Sequence, residues 1–346
     1  MSLLLLLFTV AQEVFIMERN YFHRIGSERE MNLLITGAGS IGIAMAALLK
    51  QAGHQVAFYA RGETKQAICA GGIHKTGLFG DLDFEAGEFT VSDDYSGFPA
   101  NGFDFILICA KTMANDTISR ELAQHRDLLK PEGKLVILQN GWGNDTPYLR
   151  YFDRSQVCSA RVITGFQRLK PNVSKVTVYT SPILLGNLYH LDPSPLEPLA
   201  QAITQGGIPC EVTEDVGKAL WAKMLYNCTL NPLGAIVGVH YGALMENPHS
   251  RAIMDQTMDE IFAVMTAAGY STYWPDPESY RKEFYAKLLP DTYNHNSSTL
   301  QDIRAKRPTE IDTLTGRVLD LAKEHRIPVP VNTMLYRLIK TLEANY

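Results

Sequence analysis

The chain of 346 residues is long enough for two domains with substantial cores, and its 46% hydrophobic and 20% charged residues are an ordinary globular composition. A formal net charge of −5 argues against nucleic acid and an anionic membrane as partners. The five cysteines form no CxxC pair and no metal-ligand spacing, so we expect reduced thiols, no metal and a cytoplasmic protein.

The first 30 residues differ from the rest of the chain. They open with MSLLLLLFTVAQ, an apolar run of signal-peptide length that lacks a basic start and is too short to span a bilayer. Globular patterning begins only at Met31. We therefore expect residues 1–30 to be an N-terminal extension, from a misassigned start codon or an artificial addition, with a secretory signal as the alternative.

The stretch MNLLITGAGSIGIAMAALLKQAGHQVAFYAR predicts a strand, a glycine turn, a helix and a second strand. In that context a GxGxxG turn indicates a dinucleotide-binding Rossmann fold, because its glycines let the backbone approach a pyrophosphate at the helix N-terminus. The residues of this turn are Gly37, Ala38, Gly39, Ser40, Ile41 and Gly42. We expect them to contact the cofactor.

The end of the second predicted strand indicates which cofactor is bound. An enzyme that uses NAD usually has Asp or Glu there, to hold the ribose 2′-hydroxyl. This chain has Arg61, whose guanidinium suits a 2′-phosphate, although Glu63 follows it closely. The sequence therefore favours NADPH/NADP.

The pattern continues as an α/β, doubly wound and mostly parallel sheet. Buried strands are predicted over residues 103–112, ending near Lys111, and over residues 134–143, ending near Asn140. Ligands of such sheets bind beyond the carboxyl ends of the strands, where both side chains fall. Shorter strands are predicted at 157–163, 175–179, 183–186 and 209–215, so the Rossmann domain is expected to span residues 31–213.

The remaining residues, 214–346, predict an all-α domain. Its first helix contains WAKMLYNCTLNPLGA, in which Lys223, Asn227 and Asn231 are spaced four apart and form one polar stripe on an otherwise apolar helix. A lysine and two amides in a row are unusual on a helix that is expected to be buried, so this stripe needs a further explanation.

Two further polar residues follow in the helical domain. Ser298 with Gln301 fits a capping box, which is the structural explanation for this serine. Glu310, after Pro308 and Thr309, is placed as an acid in the first turn of a helix. Considered alone, each residue reads as a helix start rather than as part of a site.

Taken in order, GAGSIG, AKT, QNGWG, KxxxNxxxNP and SSTLQDIRAKRPTEID make residues 31–343 resemble the 2-dehydropantoate 2-reductase (ketopantoate reductase) family. The resemblance implies a Rossmann domain joined to a helical domain, with the active site between them. It also implies reduction of ketopantoate to pantoate with NADPH, on the route to pantothenate and coenzyme A.

The resemblance assigns roles to individual residues. Lys223 corresponds to the general acid, and Glu310 to a carboxylate that orients it and approaches the cofactor. The substrate contacts implied are Lys223, Asn227, Asn231 and Ser298, and the cofactor contacts are residues 37–42, Arg61, Lys111, Asn140 and Glu310. Trp142 replaces a smaller methionine, and Tyr241 stands near a further polar contact, which leaves the identity of the 2-oxoacid open.

Three alternatives remain at this point. The first is a reductase of another small 2-oxoacid. The second is a β-hydroxyacid or 6-phosphogluconate-type dehydrogenase, which also places KxxxN on a helix after a Rossmann domain but brings further glycine-rich motifs. The third is a non-catalytic NADPH-binding regulator, which has no need of Lys223 or Glu310. A homodimer is compatible with the sequence.

Overall fold

The computed structural model of the protein describes residues 29–345, so the predicted extension lies outside the described residues except for its last two positions. The N-terminal part alternates strands and helices. Its elements are β1 (Asn32–Thr36), α1 (Ser40–Gln51), β2 (Gln55–Tyr59), α2 (Gly62–Gly71), β3 (Ile73–Gly77), β4 (Leu82–Phe84), β5 (Thr90–Ser92), β6 (Phe103–Ile108), α3 (Asn115–Gln124), β7 (Leu129–Ile137), β8 (Val157–Arg161), β9 (Gly165–Lys170), β10 (Val173–Val178), β11 (Ile183–Gly186), α4 (Glu197–Gly206) and β12 (Cys210–Val212).

The main sheet has eight strands in the order β12-β11-β8-β7-β6-β1-β2-β5. Every neighbouring pair is parallel except β8 and β11. In the central strand β1, Leu33, Leu34 and Ile35 are all fully buried, because apolar clusters cover both faces of the sheet. The predicted doubly wound α/β class is confirmed.

A second sheet of four strands, in the order β4-β3-β10-β9, was not predicted. The strand predicted at residues 175–179 largely coincides with β10, which belongs to this second sheet. The sheet packs on α1, where the Ser174 hydroxyl donates to the Ser40 carbonyl at 2.7 Å. A short strand carries no local sign of which partner it pairs with, so the sequence did not reveal this sheet.

The C-terminal part is helical within the described residues. Its elements are α5 (Val216–Val237), α6 (Tyr241–Glu246), α7 (Pro248–Ala267), α8 (Pro277–Glu283), a π-helical turn (Phe284–Leu288), α9 (Ser298–Arg304), α10 (Thr315–His325) and α11 (Pro330–Glu343). Helix α5 is central, and residues such as Trp221, Leu225 and Cys228 pack against Met254 and Met258 of α7. The predicted change of domain near residue 214 falls between β12 and α5.

Two local predictions in this domain need correction. The N-cap of α9 is Ser297, whose hydroxyl accepts from the Leu300 N–H at 3.0 Å, whereas Ser298 is the first helical residue. Glu310 lies five residues before Thr315, where α10 begins, so it is outside the first helical turn. Its carbonyl instead accepts from the Thr313 and Leu314 N–H groups of the connecting turn, each at 3.2 Å.

Among residues 29–345, no helix is long and apolar enough to cross a membrane.

Candidate active site

The glycine turn between β1 and α1 contains glycines of two kinds. Gly37 has φ +100°, and a Cβ there would lie 2.4 Å from the backbone nitrogen of Ala110. A Cβ on Gly42 would lie 2.2 Å from the Gly37 carbonyl oxygen. Both glycines are therefore required by the protein's own packing.

Gly39 is the N-cap of α1 and differs from the other two. Its backbone is extended, with φ −79°, and a Cβ there would meet nothing nearer than the Cys109 carbonyl oxygen at 4.0 Å. No contact within residues 29–345 requires glycine here. The space lies at the N-terminus of a twelve-residue helix, whose first N–H groups suit an anion, so the turn fits a dinucleotide pyrophosphate.

Arg61 follows β2 and is the N-cap residue of α2. Its side chain is 57% exposed, and its Nη2 forms an ion pair with Glu121 at 2.8 Å. The same nitrogen donates to the Tyr59 hydroxyl. Gly37 donates its N–H to the Tyr59 carbonyl at 3.2 Å, so the end of β2, two residues before Arg61, lies against the glycine turn.

Lys223 joins the helical domain to the Rossmann domain. It projects from α5 and donates to two acceptors beyond the carboxyl ends of strands, the Asn140 side-chain oxygen after β7 and the Val162 carbonyl after β8. An ammonium has three N–H groups. The third N–H of Lys223 has no partner among residues 29–345 and remains available to a ligand.

The Asn140 amide lies between Lys223 and Glu310. Its oxygen accepts from Lys223, and its Nδ2 donates to Glu310 Oε2 at 3.0 Å, which sets the orientation of the amide. Glu310 Oε1 also lies 3.4 Å from Lys111 Nζ, and Lys111 is 3.7 Å from Asp302 Oδ2. Four of the predicted site residues, Lys111, Asn140, Lys223 and Glu310, therefore form one connected chain of contacts.

The electrostatics of Lys223 follow from its position. Burial lowers the pKa of the Lys223 ammonium to about 8, the Glu310 carboxylate acts in the opposite direction, and the Arg161 guanidinium lowers it further. An amine with a pKa near neutrality can exist in both protonation states at working pH. This is the property that a general acid or base needs.

The predicted substrate residues lie further along α5 and at the start of α9. Asn231 is buried, and its side-chain oxygen accepts from the Tyr241 hydroxyl at 2.7 Å. The Ser297 hydroxyl donates to the Asn231 carbonyl at 3.3 Å, which brings α9 and the exposed Ser298 to this turn of α5. The half-buried amide of Asn227 has no hydrogen-bond partner among the described residues.

Tyr241 orients the Asn231 amide, because the hydrogen bond that it donates occupies the amide oxygen, while the Nδ2 group has no hydrogen-bond partner among the described residues. Because the resemblance implies that Asn231 contacts the substrate, we expect Tyr241→Phe to raise the KM for the expected 2-oxoacid by about three- to tenfold, corresponding to one hydrogen bond of about 0.5–1.5 kcal/mol, with little change in kcat. Steady-state kinetics at saturating NADPH measures both constants. An unchanged KM would show that Asn231 needs no such orientation.

The sequence analysis missed a buried polar network behind Asn140. The Asn144 amide donates to the Asn140 carbonyl at 2.8 Å and accepts from Asn115 at 3.3 Å. The Asn115 oxygen accepts from Gln139 at 2.7 Å and from the Tyr148 hydroxyl at 3.1 Å. These contacts fix the backbone that carries Asn140. Single asparagines in separate elements carry no local signal of such a network.

Arg161 was also missed. It lies at the end of β8, is only 7% exposed, and its Nη1 donates to the Ser181 hydroxyl at 2.6 Å. Burial lowers the pKa of its guanidinium. A charged residue at the carboxyl end of an otherwise apolar strand is the signal that could have found it.

Trp142 packs into the helical domain. Its ring is 5.2 Å from that of Trp221 and 4.7 Å from that of Tyr270, measured between ring centroids. The next-door Gly141 has φ +99°, and a Cβ there would lie 2.3 Å from the Thr313 carbonyl oxygen. The loop that carries Asn140 is thus held between the two domains, and the bulk of Trp142 is accommodated within this aromatic cluster.

Two family sequence models match the chain over most of its length. The model described as Ketopantoate reductase PanE/ApbA matches residues 33–189, and the one described as Ketopantoate reductase PanE/ApbA C terminal matches residues 215–343. The two matched regions are the Rossmann-type part and the helical part of the structure.

Individual relatives agree with the family match. A 2-dehydropantoate 2-reductase of Aquifex aeolicus is 32% identical over 90% of this chain and 97% of its own length. One of Vibrio cholerae is 29% identical over 91% of this chain and 99% of its own. Among solved structures, a PanE/ApbA family ketopantoate reductase of Ralstonia eutropha is 28% identical with a TM-score of 0.77, covering 91% of this chain and 99% of that one.

The family match and the relatives define an oxidoreductase that acts on a CH–OH group, built from a Rossmann-type domain and a helical domain that meet at the contact between Lys223 and Asn140. The chain belongs to the ketopantoate reductase PanE/ApbA family. This family uses NADP as its cofactor.

Proposed function

We propose that this protein reduces 2-dehydropantoate to pantoate with NADPH, on the route to pantothenate and coenzyme A, with Lys223 as the proton donor. The observation that carries the proposal is the set of contacts around Lys223. Two of its three N–H groups are held by Asn140 and Val162, and the third is free among the described residues. The names of the relatives support ketopantoate as the substrate.

The reaction adds a hydride and a proton to a ketone. The chemistry that NADPH supplies when bound is the hydride, delivered to the carbonyl carbon. As negative charge develops on the carbonyl oxygen, the free N–H of Lys223 donates its proton to that oxygen, giving the alcohol and a neutral amine. Asn140 and Val162 hold the Lys223 nitrogen in place while it does so.

Glu310 supports Lys223 without touching it. Its carboxylate binds the Nδ2 of Asn140 at 3.0 Å, so that the Asn140 oxygen is turned toward Lys223. Its negative charge also opposes the loss of the proton that burial favours. Glu310 is therefore a positioning residue in this proposal. Its contact with Lys111, which we assign to the cofactor, also brings Glu310 close to the cofactor site.

The remaining side chains of the site hold the acid. Asn227 lies one turn beyond Lys223 on α5, and Asn231 one turn further, so their amides can bind the carboxylate and hydroxyl groups of a small 2-oxoacid. Ser298 adds a hydroxyl from the start of α9. Lys111, Arg61 and the glycine turn are assigned to the cofactor.

The rate of reduction is expected to depend on pH through Lys223. Because the proton donor must be protonated and burial lowers the pKa of Lys223 in the free enzyme to about 8, kcat/KM for ketone reduction should fall as the pH rises through about 8. Oxidation of pantoate needs the neutral amine and should rise over the same range. Initial rates between about pH 6 and pH 10 test this, and a flat profile for reduction contradicts it.

The direct test of the proposal is NADPH oxidation in the presence of ketopantoate and a panel of other branched 2-oxoacids. We expect the highest kcat/KM with ketopantoate. Preference for another member of the panel would favour the alternative of a different 2-oxoacid reductase, and turnover of 3-hydroxyacids would favour the dehydrogenase alternative. Binding of NADPH without any turnover would favour a regulator.

The cytoplasmic location and the homodimer stay predictions.

A further inference from the structure

The guanidinium of Arg61 already has an anionic partner in the protein. Glu121, on α3, places Oε1 at 2.8 Å and Oε2 at 3.0 Å from Arg61 Nη2. Glu121 Oε2 also accepts from the Tyr59 hydroxyl at 2.8 Å. A carboxylate therefore lies on the group that the proposed function assigns to the cofactor's 2′-phosphate.

Tyr59 also contacts Arg61 directly. Its ring is stacked on that of Tyr95, with centroids 3.9 Å apart and planes 3° from parallel. The Arg61 guanidinium carbon lies 5.1 Å from the centroid of the Tyr59 ring, and Nη2 donates to the Tyr59 hydroxyl. Loss of the Glu121 charge would therefore leave Arg61 with a rigid support.

The other side of Arg61 is open. All of its side-chain hydrogen bonds within residues 29–345 use Nη2, so Nε and Nη1 remain for a second anion, and the side chain is 57% exposed. A second nearby carboxylate, that of Asp93, is paired with Lys65 at 2.7 Å. Glu121 is thus the carboxylate in direct contact with the guanidinium.

We propose that Glu121 is a selectivity-determining residue that weakens the preference of this site for a 2′-phosphorylated dinucleotide over an unphosphorylated one. The carboxylate neutralises part of the Arg61 charge and repels a phosphate bound to the same guanidinium, whereas a ribose 2′-hydroxyl carries no charge to repel. The inference rests on the proposed function, in which Arg61 binds the 2′-phosphate.

The test measures dissociation constants of NADPH and NADH by fluorescence titration, without substrate, for the wild-type chain and Glu121→Gln. Glutamine keeps an acceptor for Tyr59 and removes the charge. We expect NADPH to bind about two- to fivefold more tightly, the range for an exposed ion pair, with NADH unchanged within about 1.5-fold. The gain should shrink at high salt, because exposed charges are screened.

The matched control is Asp116→Asn. It removes one negative charge from the same helix, where Asp116 forms an exposed ion pair with Arg150 at 2.8 Å, and it should alter neither constant. A second arm is Arg61→Ala, which should weaken NADPH by about tenfold and abolish the effect of Glu121→Gln.

Several outcomes would overturn the inference. Weaker NADPH binding by Glu121→Gln would show that the carboxylate supports the phosphate site, and an equal change for both nucleotides would show that it does not read the phosphate. The inference also fails if the wild-type chain binds neither NADPH nor NADH. If NADPH tightens selectively but ketopantoate is not reduced, the inference about Glu121 stands and the proposed substrate fails.

Discussion

Lys223→Ala is expected to lower the rate of ketone reduction by about 10²–10⁴-fold, the range for loss of a general acid. The methyl group cannot donate a proton, and Asn140 and Val162 lose the nitrogen that they hold. NADPH affinity should survive, because the glycine turn and Arg61 lie in the other domain. Single-turnover rates at saturating NADPH and 2-oxoacid measure the chemical step directly.

The matched control is Lys218→Ala on the same helix. Lys218 forms an exposed i,i+3 ion pair with Asp215 at 2.9 Å, so its loss should leave the rate within about twofold. Thermal melting confirms that each variant is folded. A folded Lys223→Ala enzyme within about threefold of the wild-type rate would remove this lysine from the mechanism.

Glu310→Gln tests whether the two residues act as a unit. We expect a smaller defect than for Lys223→Ala, because the amide can still bind Asn140 but no longer carries the charge that opposes proton loss. The double variant should be much less than additive. Additive losses would show that Glu310 acts independently of Lys223.

Gly39→Asp is expected to weaken binding of both NADPH and NADH by about 100-fold or more while leaving the protein folded. Gly39 is the N-cap of α1 and has an extended backbone, and aspartate is a favoured N-cap residue. Among the described residues, the atom nearest to a Cβ at this position would be the Cys109 carbonyl oxygen, at 4.0 Å. The new carboxylate would occupy the helix N-terminus that the pyrophosphate needs, removing charge-assisted hydrogen bonds of about 1.5–3 kcal/mol each.

The comparison variant is Gly42→Ala. Its Cβ would lie 2.2 Å from the Gly37 carbonyl oxygen, so this change should lower the melting temperature markedly, whereas Gly39→Asp should not. Fluorescence titration of both nucleotides with thermal melting separates the two cases. Retained nucleotide affinity in folded Gly39→Asp would place the pyrophosphate elsewhere.

Two parts of this protein could be predicted because their signals are local. The β1–turn–α1 unit appears in consecutive residues, and a Cβ on Gly42 would meet the Gly37 carbonyl oxygen five positions earlier in the same turn. The stripe of Lys223, Asn227 and Asn231 follows from the helical period alone. In both cases the physical cause acts over fewer than about a dozen residues, so the order of residue types reveals it.

Cofactor contacts were less predictable than the turn itself. The sequence predicted that Arg61 follows the second strand, and it does follow β2. Glu121 lies 60 positions further along the chain, on α3, and no residue near Arg61 in the sequence indicates this contact. The second sheet was not predicted for a similar reason, because β3 and β10 pair in parallel although they lie far apart in the chain. Strand pairing at that separation depends on packing against α1.

The sequence by itself determined the Rossmann-type turn, the polar stripe of α5 and the order of the motifs that mark the family. Only the tertiary structure decided the partners of the central lysine, since Asn140 is 83 positions from Lys223 and 170 positions from Glu310. The structure also showed that Ser297, and not Ser298, caps α9, and that Glu310 lies outside the first turn of α10. The physical reason is that the contacts of Lys223 form where two domains meet. The packing of whole elements sets which loop ends come together there, and no short stretch of sequence specifies that packing.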